Sequence, residues 1–122
     1  MAFHYDAANA IGIFPASVDI EANTAVKLVA GELAIAGAAE RALGVTDQAV
    51  TAGDVVKVRM GGIAKVEASA AFAVDALVTI DADGKASAAA ASGEYILGQA
   101  VEAATGAGQI ISVVLILNTT AA

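Results

Sequence analysis

The residues of this chain that could carry out chemistry are few and scattered. His4 is the only histidine, cysteine is absent, and thirteen aspartates and glutamates are spread over 122 residues. A cysteine nucleophile and a thiolate metal site are therefore excluded, and neither a P-loop nor a serine-hydrolase motif occurs. A single histidine close to a terminus is more often a surface residue than a base or a ligand. We expect no catalytic, cofactor-binding or metal-binding residues, and no enzyme.

The segment Asp81-Ala82-Asp83-Gly84 resembles the start of a calcium-binding loop. Such a loop needs a bidentate glutamate at its twelfth position. That position is Ser92 here, and Glu94 comes two residues too late. We therefore interpret the segment as an Asp-Gly turn between two strands.

Charge and hydropathy exclude two classes of partner. Six basic residues against thirteen acidic ones give a net charge of −7 and a pI near 4.3, which opposes binding to a nucleic-acid backbone. No apolar run reaches the roughly 18–20 residues of a membrane span, and the N-terminus lacks a signal-peptide pattern. Lys57, Arg59 and Lys65 form a small basic group, which is most simply a solvated strand face.

Short apolar segments separated by glycine turns predict an all-β fold, a small β-barrel or β-sandwich. Hydrophobic residues make up 58% of the chain, and many are alanine or valine, which suit thin layers between strands. Turn sequences recur about every 8–12 residues, as in barrels and sandwiches. The predicted strands are 25–30, 33–36, 42–46, 54–60, 63–68, 76–80, 85–88, 95–102 and 109–117.

Two parts of the chain share the order of their motifs. Leu43-Gly44 precedes the strand at 55–58, as Leu97-Gly98 precedes the strand at 110–113. We therefore predict two pseudo-repeated strand units. Between 54–60 and 63–68, the alternation of apolar residues predicts a hairpin with a three-residue turn that pairs Val58 with Val66.

The last predicted strand is apolar on both faces, so both faces must be covered. If one of them were exposed, the strand would be a template for aggregation. We expect part of it to form a subunit interface that includes Ile110, Ile111, Val113, Val114, Leu115 and Ile116. The alternative is that the N-terminal segment of the same chain covers it.

Residues 1–24 differ from the rest and show no clean period of strand or helix. They contain Phe3, Tyr5, Ile11, Ile13 and Phe14, followed by the only proline, Pro15. This segment is either an arm that docks on another chain or a segment folded over its own domain. The predicted organisation is an N-terminal arm (1–24), a β-domain (25–118) and a C-terminal tail (119–122).

The segments 50–58, 62–68, 74–86 and 93–104, with the closing apolar strand, carry a family resemblance. Over residues 26–117 the chain resembles the Ala/Gly/Val-rich decoration (cement) proteins of tailed bacteriophages, the DUF2190-like group. The resemblance implies a β-barrel or β-sandwich that assembles as a homotrimer on the outer capsid surface of the virion. The resemblance also implies that the trimer clamps neighbouring major capsid proteins after the shell expands. It implies synthesis in the host cytoplasm.

The residue pattern agrees with this resemblance, because a cement protein needs no catalysis and an acidic outer-surface protein is not drawn to packaged DNA. We expect an arm contact with the capsid or a neighbouring subunit, through Phe3, Tyr5, Ile11, Ile13 and Phe14. Three weak contacts per trimer would combine into a higher avidity. The alternatives are a head-fibre, tail or surface-lattice subunit and, in a different class, a small-ligand-binding barrel.

Overall fold

The computed structural model describes residues 11–88, 92–117 and 119–121. These residues form ten β-strands and no helix, which confirms the all-β prediction. All nine predicted strands are present, with bounds that differ by a few residues. The strands are β1 (Ile11–Pro15), β2 (Ala25–Val29), β3 (Glu32–Ile35), β4 (Gly44–Thr46), β5 (Val55–Arg59), β6 (Ile63–Glu67), β7 (Leu77–Ile80), β8 (Ala86–Ala88), β9 (Gly98–Ala100) and β10 (Ile110–Leu115).

The strands are arranged in two five-stranded antiparallel sheets, and neither closes into a barrel. The first sheet has the strand order β1-β5-β4-β2-β3, and the second has the order β6-β10-β9-β7-β8. Of the two architectures that the sequence predicts, the structure is therefore the sandwich-like one.

The second sheet repeats the first, strand for strand, when β6–β10 are matched to β1–β5 in chain order. Gly44 on β4 lies opposite Val26 on β2, and Gly98 on β9 lies opposite Val78 on β7. This register confirms the predicted pseudo-repeat and places the two Leu-Gly pairs at equivalent positions. We call residues 11–59 the first repeat and residues 63–115 the second repeat.

Contacts outside the strands are repeated as well. The Ser17 hydroxyl donates to the carbonyl of Leu33 at 2.8 Å, and the Ser69 hydroxyl donates to the carbonyl of Ala86 at 3.0 Å. In each repeat this bond holds the segment after the first strand against the third strand. The likeness of the repeats therefore extends to side chains that fix the connections.

Each repeat has its own apolar core, but the two cores differ in where their residues come from. The first core contains only residues of the first repeat, among them Val26, Leu33 and Val58. The second core also includes four buried residues of the first repeat, namely Ala25, Ala36, Ala42 and Val45. The repeats are therefore joined through the second core.

Strand β1 is the one strand that the sequence did not predict. Its outward-facing residues Ile11 and Ile13 are as apolar as its partly buried Phe14, so the alternation that identifies a half-buried strand is missing. Pro15 ends the strand and is tolerated because β1 lies at the edge of its sheet.

The described part of the predicted arm, residues 11–24, is built into the first repeat. Strand β1 pairs with β5 along its whole length, from Ile11 opposite Arg59 to Pro15 opposite Val55. Ala16 and Ile20, which follow β1, are buried in the first core. In the described chain, the first repeat therefore begins at β1.

The predicted hairpin between 54–60 and 63–68 is wrong. Strand β5 pairs with β1 and β4, whereas β6 pairs with β10 in the other sheet. Val58 lies opposite Gly12 and Thr46, and Val66 lies opposite Ile111. The segment at Gly61 and Gly62 thus connects the two repeats rather than two paired strands.

Gly44 and Gly98 allow two backbones to approach closely at equivalent positions. A Cβ on Gly44 would collide with the carbonyl oxygen of Arg59, and a Cβ on Gly98 would collide with that of Val114. In both cases the obstacle is backbone of the adjacent paired strand, so it cannot move aside without separating the strands.

We therefore predict that Gly44→Ala and Gly98→Ala each lower the free energy of unfolding, towards the upper end of the ~1–3 kcal/mol typical of overpacking. The matched control is Gly106→Ala, because a Cβ there meets nothing within 4 Å, and it should change stability by no more than about 0.5 kcal/mol. Urea unfolding of the three variants measures the effect. Equal stability of all three would contradict the predicted steric conflict.

An exposed ion pair fixes the loop that follows β3. The Lys27 ammonium lies 2.9 and 3.1 Å from the two carboxylate oxygens of Glu40, and the Gly37 amide donates to the same carboxylate at 2.6 Å. The hydrogen bond from Lys27, followed by that from Gly37, holds the pKa of Glu40 below its usual value. The ionised carboxylate is therefore favoured in the folded state.

The lowered pKa of Glu40 predicts the sign of its pH dependence. The stabilisation is complete above the ordinary glutamate pKa and is lost as pH falls through the lower pKa of the folded state. Glu40→Gln should thus lower the melting temperature at neutral pH but have little effect once Glu40 is protonated. Thermal unfolding at neutral pH and at a pH below the folded-state pKa of Glu40 checks this, with Lys27→Met as the reciprocal variant. A melting-temperature difference that does not shrink in acid would contradict the assignment.

Candidate functional site

The structure describes three of the five residues that the sequence proposes for capsid contact. Ile11 is 44% exposed and Ile13 is 64% exposed, both on the outer side of β1. Phe14 points the other way and packs against the first core. Phe3 and Tyr5 lie outside the described residues.

The outer sides of β1 and β5 form one continuous surface. Ile11 lies opposite Arg59, Ile13 opposite Lys57, and Pro15 opposite Val55. Val55 is the other strongly exposed aliphatic residue of this surface. We call this surface the β1–β5 face, and its members are Ile11, Ile13, Pro15, Val55, Lys57 and Arg59.

The β1–β5 face combines exposed apolar side chains with two cations on an acidic protein. Arg59 is held by Asp47, with 3.5 Å between its guanidinium nitrogen and the carboxylate oxygen. Lys57 has no salt bridge among the described residues, and its side chain is exposed. Contiguous exposed apolar side chains are typical of an interaction surface, whereas single ones are normal anywhere.

The equivalent surface of the second repeat is more polar. On β6, Ile63 corresponds to Ile11, and Lys65 and Glu67 occupy the positions of Ile13 and Pro15. Opposite them lie Val114, Ser112 and Ile110 of β10. The same fold thus carries an apolar edge strand in the first repeat and a charged one in the second.

The six residues predicted for a subunit interface are divided between the interior and the surface. Ile111 and Val113 are fully buried in the core of their own chain, and Leu115 packs partly buried against it. Ile110 is exposed on the outer side of β10, and Val114 and Ile116 are half-buried. This division follows from the position of β10, which pairs with β6 on one side and β9 on the other.

The Asp-Gly segment is a turn, as the sequence predicts. The Asp81 carboxylate accepts hydrogen bonds from the backbone amides of Asp83 at 2.9 Å and Lys85 at 3.0 Å. These bonds close the connection between β7 and β8. Among the described residues, no group of three or more histidine, aspartate or glutamate side chains is arranged to hold a metal ion.

The clefts of the described surface are open rather than enclosed. One of them has a volume of about 530 Å³ and is bordered by Lys27, Leu28, Glu40 and Leu117, among others. Across the described ranges, no helix is long and apolar enough to cross a membrane.

Comparison with known proteins gives a family and a fold. A family model for phage cement proteins matches residues 13–115, which include both repeats. A solved structure, the head fibre gp8.5 N base of bacteriophage phi29, superimposes with a TM-score of 0.75 and 23% sequence identity. The alignment covers 88% of this chain and 93% of that one. Curated proteins give no match. The chain belongs to the phage cement protein family and is a structural protein of the phage capsid surface.

Proposed function

We propose that this protein binds the outer surface of the expanded capsid as a homotrimer, bridges neighbouring major capsid proteins and so stabilises the shell. The observation that carries the proposal is the β1–β5 face, which exposes Ile11, Ile13 and Val55 side by side. A structural capsid protein must recognise a protein surface, and exposed aliphatic side chains that lie side by side support such a contact.

Burial of the aliphatic side chains supplies the attraction. Each exposed isoleucine or valine that becomes covered contributes through the apolar area removed from water, at about 25 cal/mol per Å². Lys57, which has no salt bridge among the described residues, borders the same side chains and favours an acidic or carbonyl-rich surface on the shell. Phe3 and Tyr5 belong to the ten residues that lead into β1, so an aromatic anchor there would extend the same contact.

Trimerisation would make a modest contact effective. A trimer carries three β1–β5 faces. Once one face is bound, the second and third binding events are intramolecular, which raises the overall affinity without new contacts. A trimer that touches several major capsid proteins at once also bridges them. Bridging by many weak contacts would oppose rupture of the expanded shell.

A second structural role is the base of a head fibre, and the superposition on the phi29 head fibre base favours it as an alternative. At 23% identity the likeness concerns the fold. Cryo-electron microscopy of decorated shells separates the two roles, because a cement trimer gives compact density and a fibre base carries an extension.

The first functional prediction concerns the β1–β5 face. Ile11→Asp should weaken attachment to expanded shells that lack the protein by at least about tenfold, because it removes one buried aliphatic contact of about 1.5–3 kcal/mol. Co-sedimentation of the purified variant with such shells measures the effect. Ile11 is exposed, so the free energy of unfolding should change by no more than about 0.5 kcal/mol.

The matched control is Ile63→Asp, which makes the same change at the equivalent position of β6. Ile63 is 56% exposed, slightly more than Ile11, but its neighbours Lys65 and Glu67 are charged. This variant should attach as the wild type does. An equal loss of attachment in both variants would indicate a non-specific effect of charge and would contradict the proposed face. Unchanged attachment of both variants would contradict it as well.

The second functional prediction concerns assembly. Light scattering on a sizing column should give the mass of three chains for the purified protein. Of the residues that the sequence assigns to the subunit contact, Ile110 is the exposed one, so Ile110→Asp tests that assignment: a fall in mass from three chains to one would support it, and an unchanged mass would contradict it. A mass of one chain for the wild type would contradict the trimer in solution.

A further inference from the structure

The contact between the two repeats is the starting point. The β7–β8 hairpin of the second repeat lies against the first repeat, where the Gly84 carbonyl accepts from the Ala25 amide at 2.8 Å. The Ile80 carbonyl accepts from the Ala39 amide at 2.9 Å. We call this contact the junction. In it the hairpin of the second repeat is the inserted element, and the first repeat is the receiving surface.

A reciprocal junction would place the equivalent hairpin of the first repeat, β2–β3, on the second repeat. In the described residues, the surfaces that would form this second contact are exposed. Leu77, equivalent to the fully buried Ala25, is 41% exposed. Leu28, equivalent to Ile80 at 3% exposure, is itself 42% exposed. The equivalent surfaces are thus both left uncovered.

The tips of the two hairpins show the same difference. A Cβ on Gly84 would meet the Ala25 carbonyl and side chains of Thr24 and Ile35, all in the first repeat. A Cβ on Gly31, the equivalent residue of the β2–β3 hairpin, would meet nothing within 4 Å. The first repeat therefore presents a free copy of the hairpin that the second repeat buries.

A contact of this kind is heterologous, since the two surfaces that meet are different. A chain with one free surface of each kind can bind a further copy of itself head to tail, and such contacts close into rings when the rotation between copies allows. The junction itself shows that this hairpin and this receiving surface fit together.

We propose that the β2–β3 hairpin of one copy, at Leu28–Gly31, docks on the second repeat of another copy around Val74 and Leu77, in the manner of the junction. This inference rests on the self-association in the proposed function and names the surfaces that would form it. The occupant of both surfaces is a second copy of this chain.

Both surfaces are suited to each other in composition. The hairpin exposes Leu28 and Val29 together with the small residues Ala30 and Gly31. The receiving surface exposes Val74 and Leu77, with Ala73 exposed and Ala76 half-buried next to them. Small side chains around two aliphatic ones let a narrow hairpin approach closely, as Ala25 does at the junction.

One hydrogen bond of the junction could not form between two copies, but the carbonyl that would accept it has another donor in its own chain. The Glu67 amide donates to the Asn23 carbonyl at 3.1 Å. At the position of Glu67, the first repeat has Pro15, which has no amide hydrogen. The carbonyl equivalent to that of Asn23 belongs to Asp75, and it accepts instead from the Gln99 side chain of its own chain at 3.1 Å.

The C-terminal residues occupy another part of the equivalent surface. Gly93 corresponds to Ala39, and its amide donates to the Ala121 carbonyl at 2.9 Å, where the junction uses a carbonyl from the hairpin. A contact between copies would therefore be smaller than the junction. Val74 and Leu77 remain exposed beside this segment.

Cross-linking tests the proposal directly, because the natural chain has no cysteine. In the double variant Ala30→Cys with Leu77→Cys, a short bis-maleimide should join copies into a covalent oligomer on a denaturing gel. Either single variant alone should remain uncross-linked, because a head-to-tail contact brings the two different positions together. The control pair, Ala30→Cys with Ile63→Cys, should give no product.

Charge substitution gives an independent readout. Leu28→Glu and Leu77→Glu should each reduce the mass in solution from three chains to one, whereas Ile63→Glu should not, because Ile63 is an exposed residue of β6, which β10 and β9 separate from β7. Thermal unfolding checks that each variant is folded. A wild-type monomer contradicts the proposed self-association itself. An oligomer that persists in Leu28→Glu and Leu77→Glu, or that Ile110→Asp dissociates, overturns the head-to-tail surfaces alone.

Discussion

The burial of first-repeat side chains in the second core is the interaction on which the rest of the structure depends. Each repeat has about fifty residues, which is close to the lower limit for a stable core. Ala25, Ala36, Ala42 and Val45 extend the second core across the junction. Because the repeats share this core, the two sheets hold a fixed relation, and the β1–β5 face and the β6–β10 surface are presented on one rigid body.

Local patterns predicted most of the strands but not the partner of each strand. A strand is identified by glycine turns and by alternating apolar residues, and these signals lie close together in the sequence. The nine strands and the recurrence of Leu43-Gly44 as Leu97-Gly98 could therefore be predicted. Pairing joins distant residues. The alternation of apolar residues fits a pairing of Val58 with Val66 as well as it fits the observed pairing of Val58 with Gly12. Alternation alone therefore predicted the wrong partner strand.

The candidate site was predictable in parts and not as a whole. Ile11 and Ile13 stand out as apolar residues in an unusual segment, and Lys57 and Arg59 as cations on an acidic chain. Only the register of β1 with β5 brings them together. The predicted subunit interface rests on a pattern that two different situations share. Ile111 and Val113 are apolar because β10 lies inside a sheet, which gives the same pattern as a strand covered by another subunit.

The unequal division of the two cores also has a consequence for biosynthesis. The first core needs no residue from the second repeat, so it can form as soon as residues 11–60 have left the ribosome. The second core cannot be completed without side chains that this earlier unit already holds in place. The order in which the chain is translated therefore matches the order in which its two cores can be completed.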